Sequence, residues 1–190
     1  MATFTNQAQL SYNNSIINSN VAVGEIVEVL SATKTSVGET YRQGDSGTYI
    51  VSIVNSGTTQ YTAMVLTDNL GEYTVGQNTV YPLEYVAGSV EYYVNGGRQN
   101  APAVTAGPPL TISGITVPAG GNAIIVYKTD VNEFAPLPEG SAIENTVTVT
   151  GTGITSVTAT DTVTVESEPR LGITKSISPV PVSESGTLTY

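Results

Sequence analysis

Alternation of apolar and polar residues with period two, broken by turn-forming clusters, recurs along this chain and constrains it more than any other feature. In "GTYIVSIVNSG" (residues 47–57) Tyr49, Val51 and Ile53 alternate with their neighbours before an Asn-Ser-Gly turn. Such alternation places every second side chain on one face of a strand. The pattern predicts strands over 4–12 and 20–29, flanking "NNSIINS" as a hairpin connection. It predicts a strand over 60–71 as the antiparallel partner of 47–57, and a short strand over 88–97 closed by an Asn-Gly-Gly turn. Two strands around a Pro-Ala-Gly-Gly turn follow over 109–131, and a hairpin over 144–166. Good helix formers never cluster over a useful window, so the expected class is all-β, an antiparallel sandwich.

Composition narrows function mainly by exclusion. The 190 residues contain no Cys and no His, which removes disulfides, thiolate chemistry and the commonest general base and zinc ligand. Six Lys plus Arg against 16 Asp plus Glu give a net charge of −10. Such a surface repels nucleic acid and anionic membranes, and no segment is long and apolar enough for a membrane-spanning helix. No pair of carboxylates stands in a catalytic setting, so the chain is read as a non-enzyme without cofactor or metal. The start Met1-Ala-Thr-Phe carries no secretory signal.

The chain also repeats itself. When "TNQAQLSYNNSIINSNVAVGEIVEVLSATK" is laid over "ENTVTVTGTGITSVTATDTVTVESEPRLGITK", Asn6 falls on Asn145 and Lys34 on Lys175. Further on, Gly47-Thr48 falls on Gly186-Thr187, so the period is about 140 residues. Residues 30–168 then form one complete sandwich unit. Residues 1–29 resemble the closing hairpin of a preceding unit, and 169–190 the opening strand of a following one. Either the chain is a piece of a longer tandem protein or the terminal segment is donated to a neighbour. In the second case Leu171, Ile173, Ile177, Val180, Val182, Leu188 and Tyr190 would form the assembly strand.

The run "GDSGTYIVSIVNSGTTQYTAMVLTDNLG" (44–71), closed later by "ENTVTVT", resembles a repeat domain of bacterial and archaeal surface proteins, the domain of unknown function eleven family. The shared marks are Gly-Asp, a strand ending Asn-x-Gly, a strand ending Thr-Asp-x-Leu, and a closing Asn-Thr-Val strand. "DNLGEYTVG" departs from it, since many members have Pro after the Leu. The resemblance implies an immunoglobulin-like sandwich, with an extra N-terminal hairpin and C-terminal strand here. It implies tandem arrays on cell-surface or filament proteins.

Related surface sandwiches carry an intramolecular isopeptide bond, and the resemblance therefore singles out Lys34, Asp68 and Asn145. A first-strand lysine attacks the side-chain amide of a last-strand asparagine while a middle-strand carboxyl moves the proton. The lysine must be desolvated to become a neutral nucleophile. Lys34, one of three lysines, lies in the uncharged run "SATKTSV". The plainer alternative has Lys34 reaching solvent, Asp68 capping the following turn and Asn145 bonding the backbone of a bend.

Weaker features are read as structural. "QGDSG" (43–47) and "TDNLGE" (67–72) lack the spacing of a calcium loop and suit turns. Tyr81, Tyr85, Tyr92 and Tyr93 suit half-buried packing. The favoured function is a structural repeat subunit of a cell-surface or spore-surface filament or stalk, extracellular, whose partners are copies of itself. The alternative is an adhesin module binding host protein or glycan through a long loop, 94–109, that contains Arg98.

Overall fold

The computed structural model describes residues 2–26 and 28–166. The candidate assembly strand, Leu171 to Tyr190, lies outside the described residues. An N-terminal arm comprises β1 (Ala2–Asn6), β2 (Gln9–Tyr12), β3 (Ser15–Asn18) and β4 (Ala22–Ile26). Next come β5 (Leu30–Ser36), β6 (Thr40–Tyr41), β7 (Ser46–Asn55) and β8 (Tyr61–Asp68), then β9 (Tyr73–Val75), β10 (Asn78–Val80) and β11 (Leu83–Tyr85). The remainder is β12 (Glu91–Val94), β13 (Gly97–Gln99), β14 (Ala103–Thr105), β15 (Leu110–Val117), β16 (Asn122–Val131), β17 (Ala142–Thr150) and β18 (Val157–Val165). The described residues contain no helix, and the class is all-β.

Two six-stranded sheets make the immunoglobulin-like sandwich. One runs β13-β12-β16-β7-β5, with β11 also pairing β16; the other runs β14-β15-β8-β17-β18-β6. All pairings are antiparallel except β6 with β18. The inward parity of β7 buries Tyr49, Val51 and Ile53, and that of β16 buries Ala123, Ile125 and Tyr127. Met64 and Leu66 from β8, with Ile112 and Ile115 from β15, supply the facing layer. Ile112 and Ile115 are three residues apart yet both buried, because Gly114 takes φ +89° where the β8–β15 register shifts. This is a one-residue bulge that returns the strand to inward parity, and a left-handed φ there favours glycine.

Three expectations change. Strand 60–71 is not the partner of 47–57: β7 pairs β5 and β16, whereas β8 pairs β15 and β17 in the opposite sheet. An Asn-Ser-Gly turn suits a hairpin and a sheet-crossing arch equally, and here the arch is locked by Asn55. "NNSIINS" is not merely a connection. Ser15–Asn18 is strand β3, and only Asn13 and Asn14, both at positive φ, form the turn to β2. The long loop 94–109 contains two short strands, β13 on β12 and β14 on β15.

The N-terminal arm repeats the closing hairpin in register. Thr3 pairs Glu25, Phe4 pairs Gly24, Thr5 pairs Val23 and Asn6 pairs Ala22. Shifted by 139 positions, these are the pairs Ala142–Thr164, Ile143–Val163, Glu144–Thr162 and Asn145–Asp161 of β17 and β18. The correspondence ends at Ala8, whose N–H donates to Ser19 Oγ, and the β2–β3 ladder beyond is offset by one residue. In the sandwich, β17 is flanked by β8 and β18 and buries Ile143, Asn145, Val147 and Val149. In the arm, Phe4, Leu10, Tyr12, Ile16 and Ile17 are exposed.

A buried lysine, aspartate and asparagine as candidate functional site

Lys34, Asp68 and Asn145 come from three strands and both sheets, and all three are buried. Strand β5 supplies Lys34 at the inward parity it shares with Leu30 and Ala32, so its ammonium enters the core instead of reaching solvent. Asp68 ends β8, where its backbone lies opposite Val147 of β17. Asn145 is two residues earlier on β17, a diagonal neighbour of Asp68 on the same face.

The carboxylate of Asp68 is engaged on both oxygens. Oδ1 accepts from the Leu70 backbone N–H at 2.7 Å, a turn cap. Oδ2 accepts from Lys34 Nζ at 2.7 Å and from the Tyr127 hydroxyl. The Lys34 and Asp68 side chains are both 0% exposed. Aromatic faces complete the enclosure, with Lys34 Nζ 4.7 Å from the Tyr49 ring centroid and 5.9 Å from that of Tyr127. The two rings stack at 5.9 Å with 26° between planes. Cation–π attraction partly offsets the cost of burying the ammonium.

Asn145 is the anomaly. Its Oδ1 and Nδ2 are both shielded from solvent, and neither has a hydrogen-bond partner. Buried amides are normally satisfied, and each unmet group costs about 1–3 kcal/mol. The Tyr49 hydroxyl lies near enough to this amide for its ionisation to be slightly eased by it, without a hydrogen bond of normal geometry forming.

Burial pulls the Lys34 amine down from 10.5 to about 8, against the opposing pull of Asp68 and, more weakly, Asp161. Burial also raises the phenols of Tyr49 and Tyr127. A lysine so depressed binds fewer protons folded than unfolded, so stability rises with pH between about 8 and 10.5. The buried tyrosines act oppositely once unfolded tyrosines ionise near 10. A chain blocked by Asn145→Ala should therefore melt at progressively higher temperature from pH 7 to about 9.5. A chain whose Lys34 is acylated has no such titration and should show no rise from it; differential scanning calorimetry across pH separates the two.

Sequence reasoning missed three members of this site. Tyr49 was legible as inward-facing but not as a wall around Lys34. Tyr127 alternates with Ile125 in "NAIIVYKTDV", so its burial was available from parity. Asp161 shares inward parity with Ala159 and Val163, an unusual place for a carboxylate. The remaining sequence candidates are occupied by structure. Asp45 Oδ2 caps Arg42 N–H, and Asn69 Oδ1 accepts from Gly71 and Thr146 N–H. Tyr92 is buried with its hydroxyl on Thr116 O, while Tyr81 and Tyr85 pack against the core. Arg98 pairs with Glu91 at 2.7 Å.

The fold defines a class, the immunoglobulin-like β-sandwich. No family model matches the chain, and no curated protein matches it. Among solved structures it is similar to the major pilin SpaD of Corynebacterium diphtheriae, with TM-score 0.51, 13% identity, and coverage of 70% of this chain and 33% of that one. It is similar to the major pilin subunit BcpA of Bacillus cereus in a variant form, with TM-score 0.50, 16% identity, and coverage of 85% and 48%. The N-terminal domain of the Streptococcus gordonii adhesin Sgo0707 gives TM-score 0.50 at 14% identity, covering 80% and 36%. The chain spans less than half the length of each of these neighbours, and the likeness is one of fold.

Proposed function

We propose that the chain is a structural repeat subunit of an extracellular filament or stalk at a cell or spore surface. In this reading it belongs to the surface-repeat family that its sequence resembles. Residues 30–168 are the load-bearing unit, and copies associate head-to-tail through strand contacts. The observation that carries the reading is the buried meeting of Lys34, Asp68 and unsatisfied Asn145 between the first strand of the unit and its closing hairpin. An amide bond from Lys34 Nζ to Asn145 Cγ would tie β5 to β17, closing a covalent loop across most of the domain. Such a tie limits extension under pulling, which is a filament's requirement. Pilins are among the neighbours of the same fold.

Assembly rests on the arm. A lone two-stranded ribbon is marginal in water, and this one exposes Phe4, Leu10, Ile16 and Ile17. Because β1 and β4 copy the register of β17 and β18, the surface that suits them is the one those strands occupy. That surface is the edge and inner face of a sandwich of this same type. Electron microscopy of the purified chain should show fibres, and deletion of residues 2–26 should leave dispersed particles. Fibres that persist after the deletion would exclude the arm as their basis, and dispersed particles from the intact chain would favour the adhesin alternative.

A further inference from the structure

Asp161 is the feature of the interior that the proposed bond does not yet use. It stands directly opposite Asn145 in the β17–β18 ladder, so both side chains leave the sheet on the same face. Its Oδ2 is shielded from solvent and has no hydrogen-bond partner, although the residue as a whole is partly exposed. Two residues at opposite positions of one ladder step thus each carry a buried polar atom without a partner. Asn145 Nδ2 is a buried donor without an acceptor, and Asp161 Oδ2 is a buried acceptor without a donor. Asp68 is poorly placed to serve this nitrogen, because Leu70, Lys34 and Tyr127 already occupy its oxygens.

We infer that Asp161 is a second carboxylate of the bond-forming site, holding the Asn145 amide nitrogen and relaying the proton with which it departs. The inference rests on the Lys34–Asn145 reading. Holding Nδ2 turns the amide so that its carbonyl faces Lys34 and Asp68, the orientation that attack requires. Of the three protons on the Lys34 ammonium, one passes to Asp68, which frees the nitrogen lone pair. Nζ then bonds to Asn145 Cγ, and the Cγ–Nδ2 bond breaks. The second proton travels through Asp161 to Nδ2, which leaves as ammonia, and the third stays on the new amide. The titratable groups that feel the charge of Asp161 are Lys34 from β5, Tyr49 from β7 and Tyr127 from β16, and Asp68 of β8 is paired with that same lysine. Lys34 is the cation among them.

The test follows intact mass at successive times after a short expression pulse, using the full chain. The wild type should carry a loss of about 17 Da, one ammonia, from the earliest sample. Asp161→Ala should acquire it about a hundredfold more slowly, the usual scale of a lost proton carrier. Asp161→Asn keeps the shape and an acceptor oxygen but carries no proton, so it should fall between alanine and wild type. Melting of the same substitutions in an Asn145→Ala background, where no bond forms, separates an effect on chemistry from one on folding. Wild-type rates in Asp161→Asn would overturn the inference, since shape alone would then suffice. A loss of about 18 Da, with the branched peptide at Asp161, would overturn it too, making that residue the acyl donor. A wild type with no loss at any time would instead overturn the Lys34–Asn145 reading itself.

Discussion

In an Asn145→Ala background, where the Lys34 amine stays free, Lys34→Ala lowers the melting temperature by roughly 10 °C or more. The side chain is 0% exposed and its ammonium is the cation paired with Asp68, itself 0% exposed. Removing one member of a buried ion pair leaves the other charge uncompensated and costs about 3–5 kcal/mol. For a domain of this size that corresponds to a fall of that order in melting temperature. Asp68 would keep the Leu70 N–H and the Tyr127 hydroxyl, which stabilise an anion less well than an ammonium at contact. In the same background the double change Lys34→Met with Asp68→Leu should recover much of the loss, because an apolar pair of similar volume often replaces a buried ion pair without penalty. Thermal melts of the three proteins measure this, and a Lys34→Ala variant that melts with its Asn145→Ala parent would refute it.

Asn55→Ala should cost about 2–4 kcal/mol, since its side chain closes the β7–β8 arch and joins it to the next crossing. Asn55 Nδ2 donates to Thr59 O at 2.8 Å and Pro118 O at 2.9 Å, while Oδ1 accepts from Gly57 N–H at 3.0 Å. The residue is fully buried, and truncation leaves two carbonyls and one N–H without the partner it supplied. Asn55→Asp should be at least as damaging, because a carboxylate cannot donate to the two carbonyls and would meet them with like partial charge. Urea unfolding checks both, the expected signature being a lower midpoint at unchanged slope.

Asn55 also shows where sequence reading stopped. The period-two pattern located the long strands of the sandwich but not short ones such as β6, β9, β10, β11, β13 and β14, since inward parity in "TYIVSIV" or "NTVTVT" follows from burying one face. Whether a turn returns a chain to the same sheet or carries it to the opposite one is not written in the turn residues. Here that choice depends on Pro118, 63 positions away, whose carbonyl receives the Asn55 amide. Neighbours such as β8, β15 and β17 therefore emerge only from the assembled core. Lys34, Asp68 and Asn145 were legible because a resemblance supplied their order, and the ladder then shows how near two of them lie. Tyr127 and Asp161 stood at inward parity in plain view, but parity alone does not say which buried polar groups share a neighbourhood. The strand Ser15–Asn18 was hidden by its asparagine-rich surroundings, although two adjacent asparagines at positive φ are well suited to a tight hairpin turn.

The central claim is that Lys34 and Asn145 become one amide inside this sandwich. Intact-mass spectrometry of the purified chain tests it most directly. The account predicts a mass about 17 Da below that of the sequence, restored to the sequence value by Lys34→Ala or Asn145→Ala after allowing for each substitution. Digestion should yield one branched peptide joining the Lys34 and Asn145 segments. A wild-type mass equal to that of the unmodified sequence, unchanged on prolonged incubation of the folded protein, would contradict it.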